Sequence, residues 1–336
     1  MNHSIRFTTL LILAALCGSI YLLTFGFYKS EQPLYFGVAF DDIPSSDNLL
    51  QMHEQLKLKP QIMGFNLLWP SQDVSALTDF PMDAVKNIYQ AGMTPSIAWS
   101  PLYGDKKNQQ MISFNEITNG SYDPYLKKFS EGVKQLDFPL IIRFAPNIND
   151  EKTYAHADTY SVNLSLYKET YQYLIDFFRK QNIKNIYWVF SVSTNDSEKI
   201  DRSRLAKFYP GDHLIDIIEM DGFNHGIEVR ANQWDSRWQG FDTIFGTLYH
   251  ELKALAPYKP IIISETIFVQ NEKDKDARNE WIIQALDTCK AWEIVAFVWF
   301  NENAEHDWKI PALDEHIREF FTEKPLFHEW LNKLRK

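Results

Sequence analysis

The sequence predicts an α/β protein, a (β/α)8 TIM barrel forming a single domain after an N-terminal transmembrane helix. Three observations carry that reading. Eight short apolar runs are bounded by turn residues, helical periodicity fills the spaces between them, and one uncharged run near the N-terminus is long enough to cross a bilayer.

The strand candidates are Tyr35 to Ala39, Ile62 to Leu68, Pro95 to Trp99, Leu140 to Ala145, Ile186 to Ser191, Ile215 to Gly222, Ile261 to Glu265 and Ile294 to Phe300. Between them, Phe241, Ile244, Phe245, Leu248, Leu252 and Leu255 share one helical face, as do Tyr167, Tyr171, Leu174 and Phe178. Pro81 suits the first turn of another helix, and Pro257 lies just beyond the Phe241 helix. Such units, repeated over about 300 residues, fit a closed barrel, for which roughly 250 is typical. A doubly wound open sheet would normally carry a Gly-rich first turn, and "YFGVAFDDIPSS" has no G-x-G-x-x-G.

The run Thr8 to Tyr28 has 21 residues and no formal charge. As a helix it would span roughly 30 Å, about one hydrocarbon core. A cleaved secretory signal has an apolar part of only about 7 to 15 residues and ends in a small-x-small site, and none stands out near Tyr28. Residues 1–30 are therefore read as a signal anchor. Arg6 favours a cytoplasmic N-terminus, which leaves the barrel, 33–336, extracytoplasmic. Cleavage would release it as a secreted protein. Cys17 does not make a lipid-modification box, because Leu16 is too large for the usual pattern and the apolar run continues past it. Only Cys17 and Cys289 exist, so an intrachain disulfide framework is excluded.

A chain of 336 residues, 45% hydrophobic and 15% aromatic, can bury a large core. Its net charge is −10, and the part after the anchor is more negative still, since Arg6 and Lys29 are the only formal charges in the first thirty residues. Nucleic acid needs clustered cations and is excluded as a partner. The nine His lack an H-x-H or H-E-x-x-H spacing, so neither a metal nor another cofactor is expected.

In a barrel the reactive face forms where strands end. Those ends offer Asp41 and Asp42, Trp69, Trp99, Arg143 with Asn147, Trp188, Asp221 with Asn224, Glu265, and Trp299 with Asn301 and Glu302. A sugar ring has an apolar face and a rim of hydroxyls, so its sites combine aromatic platforms with polar side chains. Trp99, Trp188 and Trp299 are expected as platforms, with Arg143, Asn147 and Asn224 as polar contacts; the bland alternative is that the tryptophans fill the core. Glu265 ends "KPIIISE", where a carboxylate is costly unless paired or functional. Arg143, inside "LIIRFA", either positions a carboxylate of the site or belongs to a structural ion-pair network, for which Glu265 is a natural partner.

The segments "YFGVAFDD", "PSIAWS", "LIIRFAPNIND", "NIYWVFSVS", "YPGDHLIDIIEMDGFN", "KPIIISET" and "IVAFVWFNENAEHDWKI", in this order, resemble glycoside hydrolase family 26, the β-mannanase family that also includes β-glucan-cleaving members. The resemblance covers nearly the whole region after the anchor. It implies a (β/α)8 barrel and retaining hydrolysis by two carboxyls about 5 Å apart, one a nucleophile and one an acid/base. The family's nucleophile falls on Glu265. Its acid/base glutamate belongs to a pattern Arg-x-x-His-Glu-x-Asn at the fourth barrel strand, which lines up on "RFAPNIN". Arg143 and Asn149 match, but Pro146 stands in the histidine's place and Asn147 in the glutamate's. Phe223 takes the place of a tyrosine that supports the nucleophile.

An amide cannot protonate a leaving oxygen. Three readings stand open. In the first, the protein binds a β-linked polysaccharide without cutting it. In the second, Asp150, Glu151 or Glu302 supplies the proton from another loop. In the third, it is a non-catalytic, membrane-held component that works with polysaccharide synthesis or export proteins.

Overall fold

The structure, a computed structural model, describes residues 32–45, 52, 54, 56–71, 80–105, 108–149, 164–194, 201–224, 239–268, 275–301, 313–321 and 325–335. The Thr8 to Tyr28 run lies outside them. Among the described residues no helix is long and apolar enough to cross a membrane.

Eight parallel strands close on themselves. In chain order they are β1 (Tyr35–Phe40), β2 (Ile62–Leu68), β3 (Thr94–Ser100), β6 (Leu140–Phe144), β7 (Ile186–Ser193), β8 (Ile217–Asn224), β9 (Ile261–Phe268) and β10 (Ala296–Phe300), with β1 pairing both β2 and β10. All eight expected strands are present. A two-stranded antiparallel hairpin, β4 (Leu102–Tyr103) with β5 (Gln110–Met111), was not expected. Its strands have two residues each, too short to leave a periodic signal.

The helices that position the site follow from simple chemistry. In α1 (Met82–Gln90), Pro81 stands at the N-cap, and Val85 and Ile88 are buried. The short α2 (Phe114–Thr118) begins in a capping box, with the Ser113 side chain on a backbone N–H and Glu116 reaching back to the Ser113 N–H. Helix α3 (Asp123–Val133) has Pro in its first turn and buries Tyr125, Leu126, Phe129 and Val133. In α4 (Leu164–Lys180) the expected Tyr167, Tyr171, Leu174 and Phe178 are all buried. The short α5 (Arg202–Phe208) is capped by Asp201. In α6 (Phe241–Leu255) the deeply buried positions are Phe241, Phe245, Leu248 and Leu252, while Ile244 and Leu255 sit at the edge of the stripe. Helices α7 (Lys275–Ala291), α8 (Glu315–Arg318) and α9 (Phe327–Leu334) complete the order.

Two apolar layers result. The lumen holds Tyr35, Ile62, Ile141, Tyr187, Val189, Ile217, Ile262, Ala296 and Val298, together with Phe327 and Leu331 of α9. These two α9 residues pack against the N-terminal ends of the strands, where Tyr35 meets Phe327 edge to face. Arg335 then fastens the chain end: its guanidinium bonds Asp216 Oδ1 at 2.8 Å and the Lys184 carbonyl at 2.7 Å, and lies 4.2 Å from the Tyr187 ring. The second, larger layer lies between strands and helices. With the N-terminal end of the lumen filled, Arg143, Glu219 and Asp221 stand on the carboxyl-terminal side of this apolar plug.

Candidate active site

Strand parity decides which side chains reach the lumen. In β6 the lumen face carries Ile141 and then Arg143; in β7 it carries Tyr187, Val189, Ser191 and Ser193; in β8 it carries Ile217, Glu219 and Asp221. Registers pair Ser191 with Glu219, Ser193 with Asp221, and Asp221 with Ser264 of β9. Polar side chains from four neighbouring strands thus come within bonding reach of one another across adjacent levels of the lumen.

Arg143 is 1% exposed. Its Nη1 donates to Glu219 Oε1 at 2.9 Å and to Ser264 Oγ at 3.1 Å. Small residues make room opposite: a methyl added at Gly64 would stand 3.0 Å from the Ala39 methyl and 3.9 Å from Arg143 Nη2. Ser191 Oγ lies 2.9 Å from Glu219 Oε1 and 3.1 Å from Asn147 Oδ1. Asn147 Nδ2 donates to Asp221 Oδ2. The result is a continuous chain from Ser264 through Arg143, Glu219, Ser191 and Asn147 to Asp221. Asn147 alone in it is half-buried; the others are 0–3% exposed.

The turn that carries Asn147 is built for an asparagine. Ala145 has φ 45 and Asn147 has φ 58, both left-handed. Asparagine adopts that region several times more readily than most residues. Two further bonds pin the turn to β7, because Asn149 accepts the Ser193 N–H at 2.7 Å and donates to the Ser193 carbonyl at 2.8 Å.

Of the expected site residues, Arg143, Asn147 and Asp221 are brought together here. Glu265 lies on β9 immediately after Ser264, but its side chain lies outside the described residues. Arg143 pairs with Glu219, a residue the sequence reading did not single out. A signal was present: in "IIEMDGF" two acids two apart interrupt an apolar strand, which places both on one face. Ser191 and Ser193 in "SVS" carry the same signal. Asn224 ends β8 and donates to the Gln239 carbonyl at 3.0 Å, tethering the start of α6. Asp41, near the mouth, accepts from Asn66 Nδ2 at 2.9 Å. Asp150, Glu151 and Glu302 lie outside the described residues.

The tryptophan platforms require correction. Trp99 is 0% exposed and faces the helices: its ring stacks on Phe129 at 4.5 Å and its Nε1 donates to Tyr125 Oη at 2.8 Å. Burial pushes the Tyr125 phenol well above its ordinary range, with the Trp99 bond opposing, as befits a dry layer. Trp188 packs edge to face on Tyr171 and Phe178 of α4. Trp299 is 2% exposed, belongs to the outer layer and pairs in register with outward-facing Val38. A stacking platform needs an open ring face, and none of the three has one. Trp99→Phe, which removes the indole N–H and some volume, is expected to lower stability by about 1–3 kcal/mol in urea unfolding while leaving glycan retention unchanged.

An eight-stranded parallel barrel with an arginine, carboxylates and amides gathered at the carboxyl ends of its strands belongs to the class of (β/α)8 barrels whose chemistry lies at that face. The chain is a member of glycosyl hydrolase family 26, whose sequence profile matches residues 115–291. It is 29% identical over 314 residues to Endoglucanase H of Acetivibrio thermocellus, a match that covers 91% of this chain and 32% of that protein. The chain thus spans about a third of that relative's length. Solved structures share the fold. A family 26 β-mannanase from Bacteroides ovatus superposes with a TM-score of 0.61 at 14% identity, covering 88% of this chain and 90% of the other. The catalytic domain of an endo-β-1,4-mannanase from Bacillus sp. JAMB-750 gives 0.62 at 17% identity, covering 91% and 85%.

Proposed function

We propose that the protein is a membrane-anchored, extracytoplasmic β-glycan-directed barrel in which hydrolysis of ordinary glycosidic bonds is weak or absent. Family membership supports the substrate class. The observation that carries the weakened chemistry is Asn147: an amide occupies the position matched to the acid/base, held by Asp221 on one side and Ser191 on the other. Neither end of a carboxamide can deliver a proton to a leaving oxygen, and such delivery contributes about 10²-fold to 10⁴-fold. Glu265 is proposed as the retained nucleophile position and Arg143 as its electrostatic neighbour. The Thr8 to Tyr28 run would hold the barrel at the outer face of the membrane.

One observation favours a second reading. The similarity to Endoglucanase H runs along most of the chain, which supports a retaining endo-β-glycosidase with a displaced proton donor. A non-catalytic place beside polysaccharide synthesis proteins also accords with an anchored barrel of this kind.

Affinity electrophoresis of residues 33–336 through gels containing β-mannan, mixed-linkage β-glucan or hydroxyethyl cellulose tests the substrate class. Retardation by at least one polymer, relieved by free oligosaccharide, is the expected result. Unchanged mobility in all three would sink the glycan-directed reading.

A further inference from the structure

The mouth network contains one proton for which two acceptors compete. Ser191 Oγ reaches both Glu219 Oε1, at 2.9 Å, and Asn147 Oδ1, at 3.1 Å. A hydroxyl has a single hydrogen to give. Charge-assisted bonds are about twice as strong as neutral ones, so the carboxylate takes it. Ser191 Oγ is then free to accept the Asn147 backbone N–H at 3.2 Å, which holds the turn. The amide's orientation is fixed by its other neighbour: the Asp221 carboxylate only accepts, so the nitrogen must face it. The Asn147 carbonyl is left without the Ser191 hydrogen, on the one half-buried member of the network.

We infer that Glu219 is a positioning residue for glycan binding: by holding the Ser191 hydrogen, it leaves the carbonyl of half-buried Asn147 available as an acceptor for a sugar hydroxyl. This rests on the glycan-directed reading and deepens it. Asn147 then works as a recognition amide, and a carboxylate buried behind it sets its hydrogen-bonding sense. In Glu219→Gln the competitor becomes a neutral carbonyl, the Ser191 hydrogen divides between two similar acceptors, and the Asn147 carbonyl is partly withdrawn. The variant keeps the side chain's shape and an acceptor for Arg143, and so perturbs the lumen less than Glu219→Ala.

The test is a double-mutant cycle on residues 33–336 with two readouts. In calorimetric titration with β-1,4-linked mannohexaose and cellohexaose, Glu219→Gln is expected to weaken binding about threefold to tenfold in the native background, the worth of one hydrogen bond. In a Ser191→Ala background, where no hydrogen is contested, it is expected to change affinity by less than about twofold. The ligand-free readout uses asparagine-selective 15N labelling, with the Asn147 side-chain signal identified by its loss in Asn147→Asp. Glu219→Gln should shift that signal, and should not shift it once Ser191 is alanine. Equal effects of Glu219→Gln in both backgrounds would mean that it acts through Arg143 alone, and this overturns the inference, as does an unmoved Asn147 signal. Failure of the unmodified protein to bind either hexaose overturns the glycan reading itself, while the spectra still decide whether Glu219 governs the amide.

Discussion

On a β-glycoside whose leaving group needs no proton, such as 2,4-dinitrophenyl β-cellobioside or β-mannobioside, the protein is expected to release one dinitrophenolate per molecule in a burst and then stall. The acidic phenol departs as its anion, so a nucleophile at Glu265 suffices for the first step. The second step attacks the glycosyl-enzyme with water and needs a general base, which the Asn147 amide cannot supply. Azide, a nucleophile that needs no base, is expected to restore turnover. Against these substrates an unactivated polysaccharide is handicapped by the missing proton transfer, a term of about 10²-fold to 10⁴-fold. Glu265→Gln should erase the burst. Steady turnover without azide would show that a displaced carboxyl acts as the base, and no burst at all would remove Glu265 from the nucleophile's role.

The second large effect concerns the lumen ion pair. Arg143 and Glu219 are each 1% exposed and 2.9 Å apart. Removing one partner takes the 2.9 Å counter-ion from the other charge in a dry interior, and such losses run to about 3–5 kcal/mol. Glu219→Ala is therefore expected to lower the unfolding free energy by that order in urea at constant pH. Replacing both residues with apolar side chains, Arg143→Met with Glu219→Leu, is expected to recover part of the loss, because the two paired charges leave the interior together. A double variant as unstable as the sum of the singles would show that the pair is not the principal partner of either group.

The eight strands were legible because a barrel strand is buried on both faces and reads as a short apolar run between turns. Helices α4 and α6 were legible from the spacing of their aromatic and aliphatic residues. The tryptophans' positions along their strands suggest platforms, but strand parity turns them toward the helices. In "TPSIAWS" the small and polar Thr94, Ser96, Ala98 and Ser100 alternate with Pro95, Ile97 and Trp99. The first set lines the crowded lumen and the second faces the helices. The same parity puts Trp188 with Phe190 and Trp299 with Phe297 in the outer layer. Glu219 belongs to the same parity: its two-residue spacing from Asp221 in "IIEMDGF" puts both acids on the lumen face. The substitution at Asn147 could be read from a motif, but its physical setting could not. The left-handed backbone and the bonds to Ser191 and Asp221 arise from strands 44 and 74 residues away in sequence.

Reducing-end release from β-mannan, mixed-linkage β-glucan and cellohexaose, by residues 33–336 and by their Glu265→Gln variant side by side, tests the absence of a working proton donor most directly. The account predicts release at or below the limit of detection for both proteins, with the same polymers retarding the unmodified protein in gels. Rapid release by the unmodified protein, lost in Glu265→Gln, would contradict it and establish an active hydrolase with its acid elsewhere.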